Sequence, residues 1–139
     1  MNIKTLLILA VFIAASCRSN DDDMVESTCN AIEINSDLFN NGITDEFEIL
    51  EASVTNDCLI LLVRYGGGGG EVFGDLVTQE EAVENSTERN LRFLFDDQSP
   101  RDALLSETFE YNLIPLQNSN MSSIQFNLEG FADPILYEY

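Results

Sequence analysis

Residues 59–65 read LILLVRY, a nearly continuous apolar run. The run has the length of a β-strand and is too short for a typical helix. Strands of this composition are typical of the centre of a sheet, where side chains are buried on both faces. We therefore expect residues 59–65 to form a central strand, buried on both faces, around which the fold is built.

The segments on either side of this strand predict how it begins and ends. Residues 47–54 also have strand character, and Asn56 and Asp57 are typical turn residues between the two. Residues 66–70 are all glycine. A phosphate-binding loop would need a Lys-Ser/Thr pair and a helix after them, but Glu71 and a further strand pattern follow. Because glycine adopts positive φ angles freely, the run predicts a hairpin turn or a bulged crossing, with a mobile binding loop as the alternative.

Two later segments alternate apolar with polar residues, which is the pattern of strands buried on one face. They are residues 109–113 and residues 124–128, and we expect them to be neighbouring antiparallel strands joined by residues 115–122. Further strand candidates are residues 31–34, 72–77, 91–95 and 135–139. Residues 78–90 predict a short helix.

The number and spacing of these strands predict the fold class. Six to eight short strands within about a hundred residues favour an all-β protein, an antiparallel β-sandwich that is immunoglobulin-like or similar. No internal repeat or long linker divides the sequence. We expect one such domain at residues 27–139.

The first 17 residues, MNIKTLLILAVFIAASC, have the layout of a secretory signal. One basic residue, Lys4, precedes an apolar run, and small residues precede a cysteine. The apolar run is too short to cross the membrane as a helix, which needs about 20 residues. We therefore expect an exported chain whose signal peptide is residues 1–16.

The sequence AASC at residues 14–17 resembles the lipobox of bacterial lipoproteins. The resemblance implies that Cys17 is acylated and becomes the first mature residue, followed by a flexible acidic tether to residue 26. Residues 17–23, CRSNDDD, are similar to the Ser/Asp-rich leader of surface lipoproteins of the Bacteroidota. This implies an outer-membrane lipoprotein on the cell surface, with the periplasmic face as the alternative.

The domain itself also resembles small uncharacterised lipoprotein domains of the Bacteroidota. The motifs that carry the resemblance are DCL at residues 57–59, YGGGGGE at residues 65–71 and EYNLIPL at residues 110–116. No activity comes with this resemblance. It implies a location and a β-rich fold rather than a function.

The chain has three cysteines, an odd number that needs an explanation in an exported protein. Acylation of Cys17 would account for one. Cys29 and Cys58 would then lie in an oxidising compartment, where a disulfide persists, and we expect them to form one. Two free thiols are the alternative.

The charge of the chain restricts its partners. It has 25 acidic and six basic residues, a net charge of −19, and all the basic residues after Lys4 are arginines. Such a charge repels phosphate backbones and anionic lipids, so we expect no nucleic-acid partner and membrane attachment through the lipid anchor only. The acidity serves either solubility or the attraction of cations or of a basic protein.

Residues 37–48 partly match a calcium-binding loop. The oxygen donors would be the side chains of Asp37, Asn41, Asp45 and Glu48, with the carbonyl of Ile43. Phe39 breaks the pattern at its third position. An Asn-Gly turn with solvated acids is the favoured interpretation, and we expect calcium to have at most a weak effect. No other cofactor is expected.

The absent residue types exclude several kinds of catalysis. With no histidine, Ser-His-Asp triads, Cys-His pairs and histidine zinc sites are excluded. Without a lysine after Lys4, Schiff-base chemistry is excluded as well. A carboxylate-only hydrolase would need two acids spaced around a sugar, for which Asp96 and Asp97 are candidates.

The sequence therefore predicts a lipid-anchored, non-catalytic binding or structural lipoprotein. Its ligand or partner is not identified by any motif. One alternative is an acidic partner or inhibitor of a basic protein, and the alternative from another class is the carboxylate-dependent hydrolase.

Overall fold

A computed structural model of the chain describes residues 28–80 and 86–139. The elements are β1 (Glu33–Ile34), α1 (Ser36–Asn41), β2 (Phe47–Thr55), β3 (Cys58–Gly67), β4 (Val72–Thr78), β5 (Glu88–Asp97), β6 (Pro100–Asn112), a 3-10 helix (Ile114–Leu116), β7 (Ser123–Leu128) and β8 (Ile135–Glu138). The six regions predicted as strands outside the two alternating segments all contain strands.

The strands form two sheets, which confirms the predicted all-β sandwich in one domain. The three-stranded sheet has the order β2-β3-β6, and the five-stranded sheet has the order β1-β4-β5-β7-β8. Two of the strand pairs, β1 with β4 and β5 with β7, are parallel, and the others are antiparallel. The parallel pairs arise because the chain passes through other elements before it returns to a neighbouring strand.

Strand β3 is the central strand of the three-stranded sheet, as predicted. Leu59, Leu61 and Val63 are fully buried between the sheets. Their neighbours Ile60 and Leu62 point to the other face and are only half-buried. The prediction of burial on both faces was therefore wrong, because no further layer covers the outer face of this sheet among the described residues.

The two alternating segments lie in different sheets, which corrects the prediction that they pair. Residues 109–112 belong to β6, which pairs with β3, whereas β7 pairs with β5 and β8. The predicted faces are nevertheless correct, since Phe109, Tyr111 and Phe126 are buried. The 3-10 helix and the following loop carry the chain from one sheet to the other.

The glycine run forms the predicted bulged crossing. The register of β3 against β6 shifts between Gly66 and Gly67. Gly69 has a φ of 77°, a left-handed conformation that glycine adopts without steric cost. The chain then leaves the three-stranded sheet and starts β4 in the five-stranded sheet.

Aromatic rings fill the core between the two sheets near this crossing. The ring centroids of Tyr65 and Phe95 lie 4.8 Å apart, those of Phe93 and Phe109 5.0 Å apart and those of Phe47 and Phe93 5.2 Å apart. These distances and the tilted arrangements are those of favourable aromatic contacts. Both sheets contribute rings, so this cluster joins them.

The described helix is not the predicted one. Helix α1 lies at Ser36–Asn41, where Asn35 caps it by accepting a hydrogen bond from the main-chain N–H of Leu38 at 3.0 Å. The guanidinium of Arg92 donates to the carbonyl of Phe39 at 2.7 Å and ties the helix to β5. In the predicted helix at residues 78–90, both ends are strand, and residues 81–85 lie outside the described residues.

Candidate interaction surface

The predicted disulfide between Cys29 and Cys58 is present, with the Cα atoms 6.1 Å apart. It fastens the start of the described domain to the first residue of β3. Two backbone hydrogen bonds hold the same segment beside β6, because Asn30 N–H donates to the carbonyl of Glu110 and Asn112 N–H donates to that of Asn30, each at 2.8 Å. The N-terminal segment is therefore an integral part of the sandwich.

The predicted lipid site, Cys17, lies outside the described residues, as do the predicted signal peptide and tether. Lipid anchoring therefore remains a prediction from the sequence. Within residues 28–80 and 86–139, no helix is long enough and apolar enough to span a membrane.

The four side chains of the calcium hypothesis fall into three separate sets of contacts. Asp37 and Asn41 lie in α1 and are hydrogen bonded to each other at 2.8 Å. Asp45 accepts a hydrogen bond from the N–H of Asp97 at 2.8 Å, and Glu48 forms an ion pair with Arg64. Both sequence interpretations placed a loop or turn at residues 37–41, where the structure has a helix. Among the described residues, no group of three or more acidic or cysteine side chains is arranged to hold a metal ion.

We expect calcium to stabilise the protein no more than other salts do, because the carboxylates already have partners on different elements. The measurement compares the melting temperature in about 5 mM calcium, about 5 mM magnesium and sodium chloride of matched ionic strength. Screening of the repulsion between acidic side chains would raise the melting temperature equally in all three salts. A rise specific to calcium that is lost in Asp37→Asn would contradict this expectation.

Asp96 and Asp97, the carboxylates considered for hydrolysis, point to opposite faces of β5. Adjacent residues of a strand alternate in this way. Asp96 is exposed and accepts a hydrogen bond from the side chain of Gln98, whereas Asp97 is buried. One oxygen of Asp97 accepts from the N–H of Ser99 at 2.8 Å, and the other is buried without a hydrogen-bond partner. The structure therefore does not bring this pair together on one surface.

The arginine side chains that the structure describes are held by the protein's own groups. Arg64 pairs with Glu48, and Arg92 lies 3.6 Å from the carboxylate of Glu129. The half-buried Arg89 donates to the hydroxyl of Thr78 and to a main-chain carbonyl, and burial lowers the pKa of its guanidinium. Most of the carboxylates in the described part of the chain have none of these three guanidinium groups beside them, so the described surface is strongly negative.

The first part of β4 is an open strand edge. Strand β1 pairs with β4 only at Val77 and Thr78, so residues 72–76 have β5 as a neighbour on one side and no strand on the other among the described residues. A groove of about 570 Å³ follows this open edge. We call it the β4 groove; the N-terminal segment at residues 30–33 and the buried rings of Phe109 and Tyr111 form its other walls.

Main-chain groups of β4 face this groove. The hydroxyl of Tyr111 donates a hydrogen bond to the carbonyl of Gly74 at 2.7 Å from the side opposite β5. Burial raises the pKa of the Tyr111 hydroxyl, and the negative charge of Asp75 raises it further, so this group stays a protonated donor at neutral pH. A Cβ at Gly74 would lie within 2.5 Å of the Phe93 ring, so the close approach of β4 to the core requires glycine here.

A second hollow of about 390 Å³ lies on the outer face of the same strand. Phe73, which is 52% exposed, and Ile43, which is 93% exposed, present apolar surface there. The carboxylates of Asp75 and Asp96 lie beside them on β4 and β5. Phe73 and Asp75 border both the hollow and the β4 groove. An apolar centre with an acidic rim is an arrangement suited to binding another protein.

This surface was not predicted from the sequence. The usable signal was Phe73, a large aromatic residue that alternates onto the same face as Asp75, where a polar residue is expected. What the sequence could not show is the short β1, which leaves the neighbouring edge open.

No protein-family model and no curated protein matches the chain. Among solved structures, a NigD-like immunity protein from Bacteroides caccae superimposes with a TM-score of 0.59 at 10% identity, over 76% of this chain and 57% of its own. A protein of unknown function, DUF1344, from Bacteroides vulgatus gives 0.57 at 14% identity, over 80% of this chain and 56% of its own. A protein proposed to be toxin related, from Parabacteroides distasonis, superimposes with a TM-score of 0.53 at 16% identity, over 80% of this chain and 61% of its own.

At these identities the comparisons establish a shared fold. The chain spans less than two thirds of the length of each of the three structures. All three come from the Bacteroidota, which agrees with the resemblance of the domain to β-rich proteins of that group.

Proposed function

We propose that the chain is a non-catalytic binding module of the cell envelope, anchored by lipid on Cys17, whose partner is a basic protein. The observation that carries the proposal is the excess of 25 acidic over six basic residues, together with the engagement of Arg64, Arg89 and Arg92 within the domain. Partner binding rather than a structural role alone is favoured by the apolar residues Phe73 and Ile43 within that acidic surface.

Electrostatics supports a cationic partner. A net charge of −19 on 139 residues attracts basic proteins over several ångströms and speeds their association. This net charge already includes the arginines, and Arg64, Arg89 and Arg92 are engaged within the domain, so they are not free to pair with an acidic partner. An acidic or anionic partner would meet repulsion over most of the surface.

The shared fold favours a protein as the partner. One structural neighbour is described as an immunity protein and another as proposed to be toxin related. An acidic lipoprotein that binds and neutralises a basic toxic protein at the envelope would fit both the charge and these neighbours. The predicted outer-membrane location would place it where such a protein arrives.

Capture experiments test the proposal. The full chain, with its lipid in detergent micelles, is immobilised and exposed to the secreted and periplasmic proteins of a Bacteroidota host at about 50 mM and about 500 mM sodium chloride. We expect the captured proteins to be basic and to be released at the higher salt concentration, because exposed charge pairs are screened.

A chain with residues 28–139 in scrambled order is the matched control, since it has the same charge without the fold. Equal capture by the scrambled chain would mean that the protein acts only as a polyanion. A captured set without enrichment in basic proteins, or one unaffected by salt, would contradict the proposal.

A further inference from the structure

We propose that the partner adds an extended segment, with alternating basic and apolar side chains, as a strand along the open edge of β4 at residues 72–76. This inference rests on the proposed function and deepens it. It assigns the binding surface and the kind of segment that the surface accepts.

The open edge provides the main-chain partners. A strand edge without a neighbour presents N–H and C=O groups that pair readily with an added strand. The hydroxyl of Tyr111 already donates to the carbonyl of Gly74, which leaves the N–H of Gly74 for an added strand and shows that the main-chain groups of this residue point away from β5 and toward the groove. Because the pattern repeats every second residue in an antiparallel pair, Val72 presents its N–H and C=O in the same direction, and Leu76 does so next to the point where β1 begins to pair with β4.

The two hollows beside this edge give places for side chains. Side chains of an added strand alternate between its two faces, one toward the β4 groove and the other toward the outer hollow. Toward the groove they would meet Phe109 and Tyr111, which suits an apolar residue. Toward the outer face they would lie next to Phe73 and Asp75 as cross-strand neighbours.

The negative charge of the lining residues favours basic side chains on the outer face of the added strand. The described residues that line the two hollows include Glu33, Asp45, Asp75 and Asp96 and no lysine or arginine. An arginine in the added strand could pair with Asp75 and stack on the exposed ring of Phe73. An acidic side chain there would be repelled, so the surface discriminates by charge as well as by shape.

A synthetic peptide, acetyl-RVRVRVR-amide, is the probe. Its affinity for the full chain in detergent micelles is measured by fluorescence anisotropy for the wild type and two double variants. Phe73→Ala with Asp75→Asn changes the proposed surface. Leu136→Ala with Glu138→Gln makes the matched change on β8 at the opposite edge of the same sheet, where Leu136 is 61% exposed.

We expect the β4 variant to bind the peptide roughly tenfold or more weakly, as for the loss of a buried anchor and its charge pair, and the β8 variant to bind within about twofold of the wild type. A peptide with an N-methyl group on every residue keeps its charge but has no N–H on either edge to pair with a strand, and its binding should be lost. Hydrogen exchange of residues 72–76 should slow when the parent peptide is bound, and that of β8 should not.

Three results would overturn the inference: no binding of the parent peptide, equal weakening by both double variants, or full binding of the N-methylated peptide. Salt-dependent capture of basic proteins by the wild type, together with any of these, would leave the proposed function standing and place the partner elsewhere on the domain. Loss of that capture would instead remove the proposed function.

Discussion

Replacing Cys29 and Cys58 together with alanine is expected to lower the free energy of unfolding by roughly 3 to 4 kcal/mol and the melting temperature by about 10 °C or more. The bridge closes a loop with a sequence separation of 29, so its loss frees the unfolded chain to adopt many more conformations. It also joins two elements that belong to the core, because Cys29 is buried and Cys58 starts the central strand β3.

The measurement is guanidinium unfolding of residues 18–139, followed by near-ultraviolet circular dichroism of the tyrosines. Reduction of the wild type should reproduce the effect of the double variant, and the double variant should not respond to a reducing agent. A loss below about 1 kcal/mol would mean that the backbone bonds of Asn30 hold the segment as well without the bridge.

The sequence predicts which side chains are buried better than it predicts which strands pair. The alternation of β6 and β7 reports the two faces of each strand, and it identifies Phe109 and Phe126 correctly as core residues. The alternation contains no information about which strand each of them pairs with, since the same pattern suits any strand on either sheet. The pairing of β7 with β5 depends instead on the path of the chain through the 3-10 helix.

Elements without a periodic pattern were missed for a related reason. Helix α1 has six residues and no buried side chain, so it has no apolar stripe to recognise, and only its cap at Asn35 was a local signal. The first half of β6 is an edge strand with exposed residues such as Leu104, and it lacks the alternation of a half-buried strand.

The disulfide could be predicted from the sequence, whereas the candidate binding surface could not. Pairing of Cys29 with Cys58 follows from counting cysteines and from the redox compartment, so no geometry was needed. The β4 groove exists because β1 ends after two residues and leaves residues 72–76 open. The groove depends on how residues 30–33, β4 and β6 meet in the fold, and local sequence patterns do not predict that arrangement.

Changing Cys17 to alanine is expected to abolish acylation of the chain. The chain with its native cysteine should incorporate labelled palmitate, and the Cys17→Ala variant should incorporate none. The Cys29→Ala, Cys58→Ala double variant is the matched control, because it removes two cysteines that are joined to each other and should leave the labelling unchanged.

The expected loss of acylation is complete because Cys17 is the one acylation site of the predicted architecture, with Cys29 and Cys58 joined to each other. A single acyl chain gives only marginal membrane binding, and stable anchoring takes two or more chains or one chain with a basic patch. With 25 acidic and six basic residues the chain is not expected to bind the membrane through a basic patch, so the several acyl chains of a lipoprotein would hold it alone. High salt should therefore leave the native protein in the membrane fraction, since hydrophobic anchoring is not screened. Equal palmitate labelling of the native and Cys17→Ala chains, or release of the native chain by salt, would contradict lipid anchoring at Cys17.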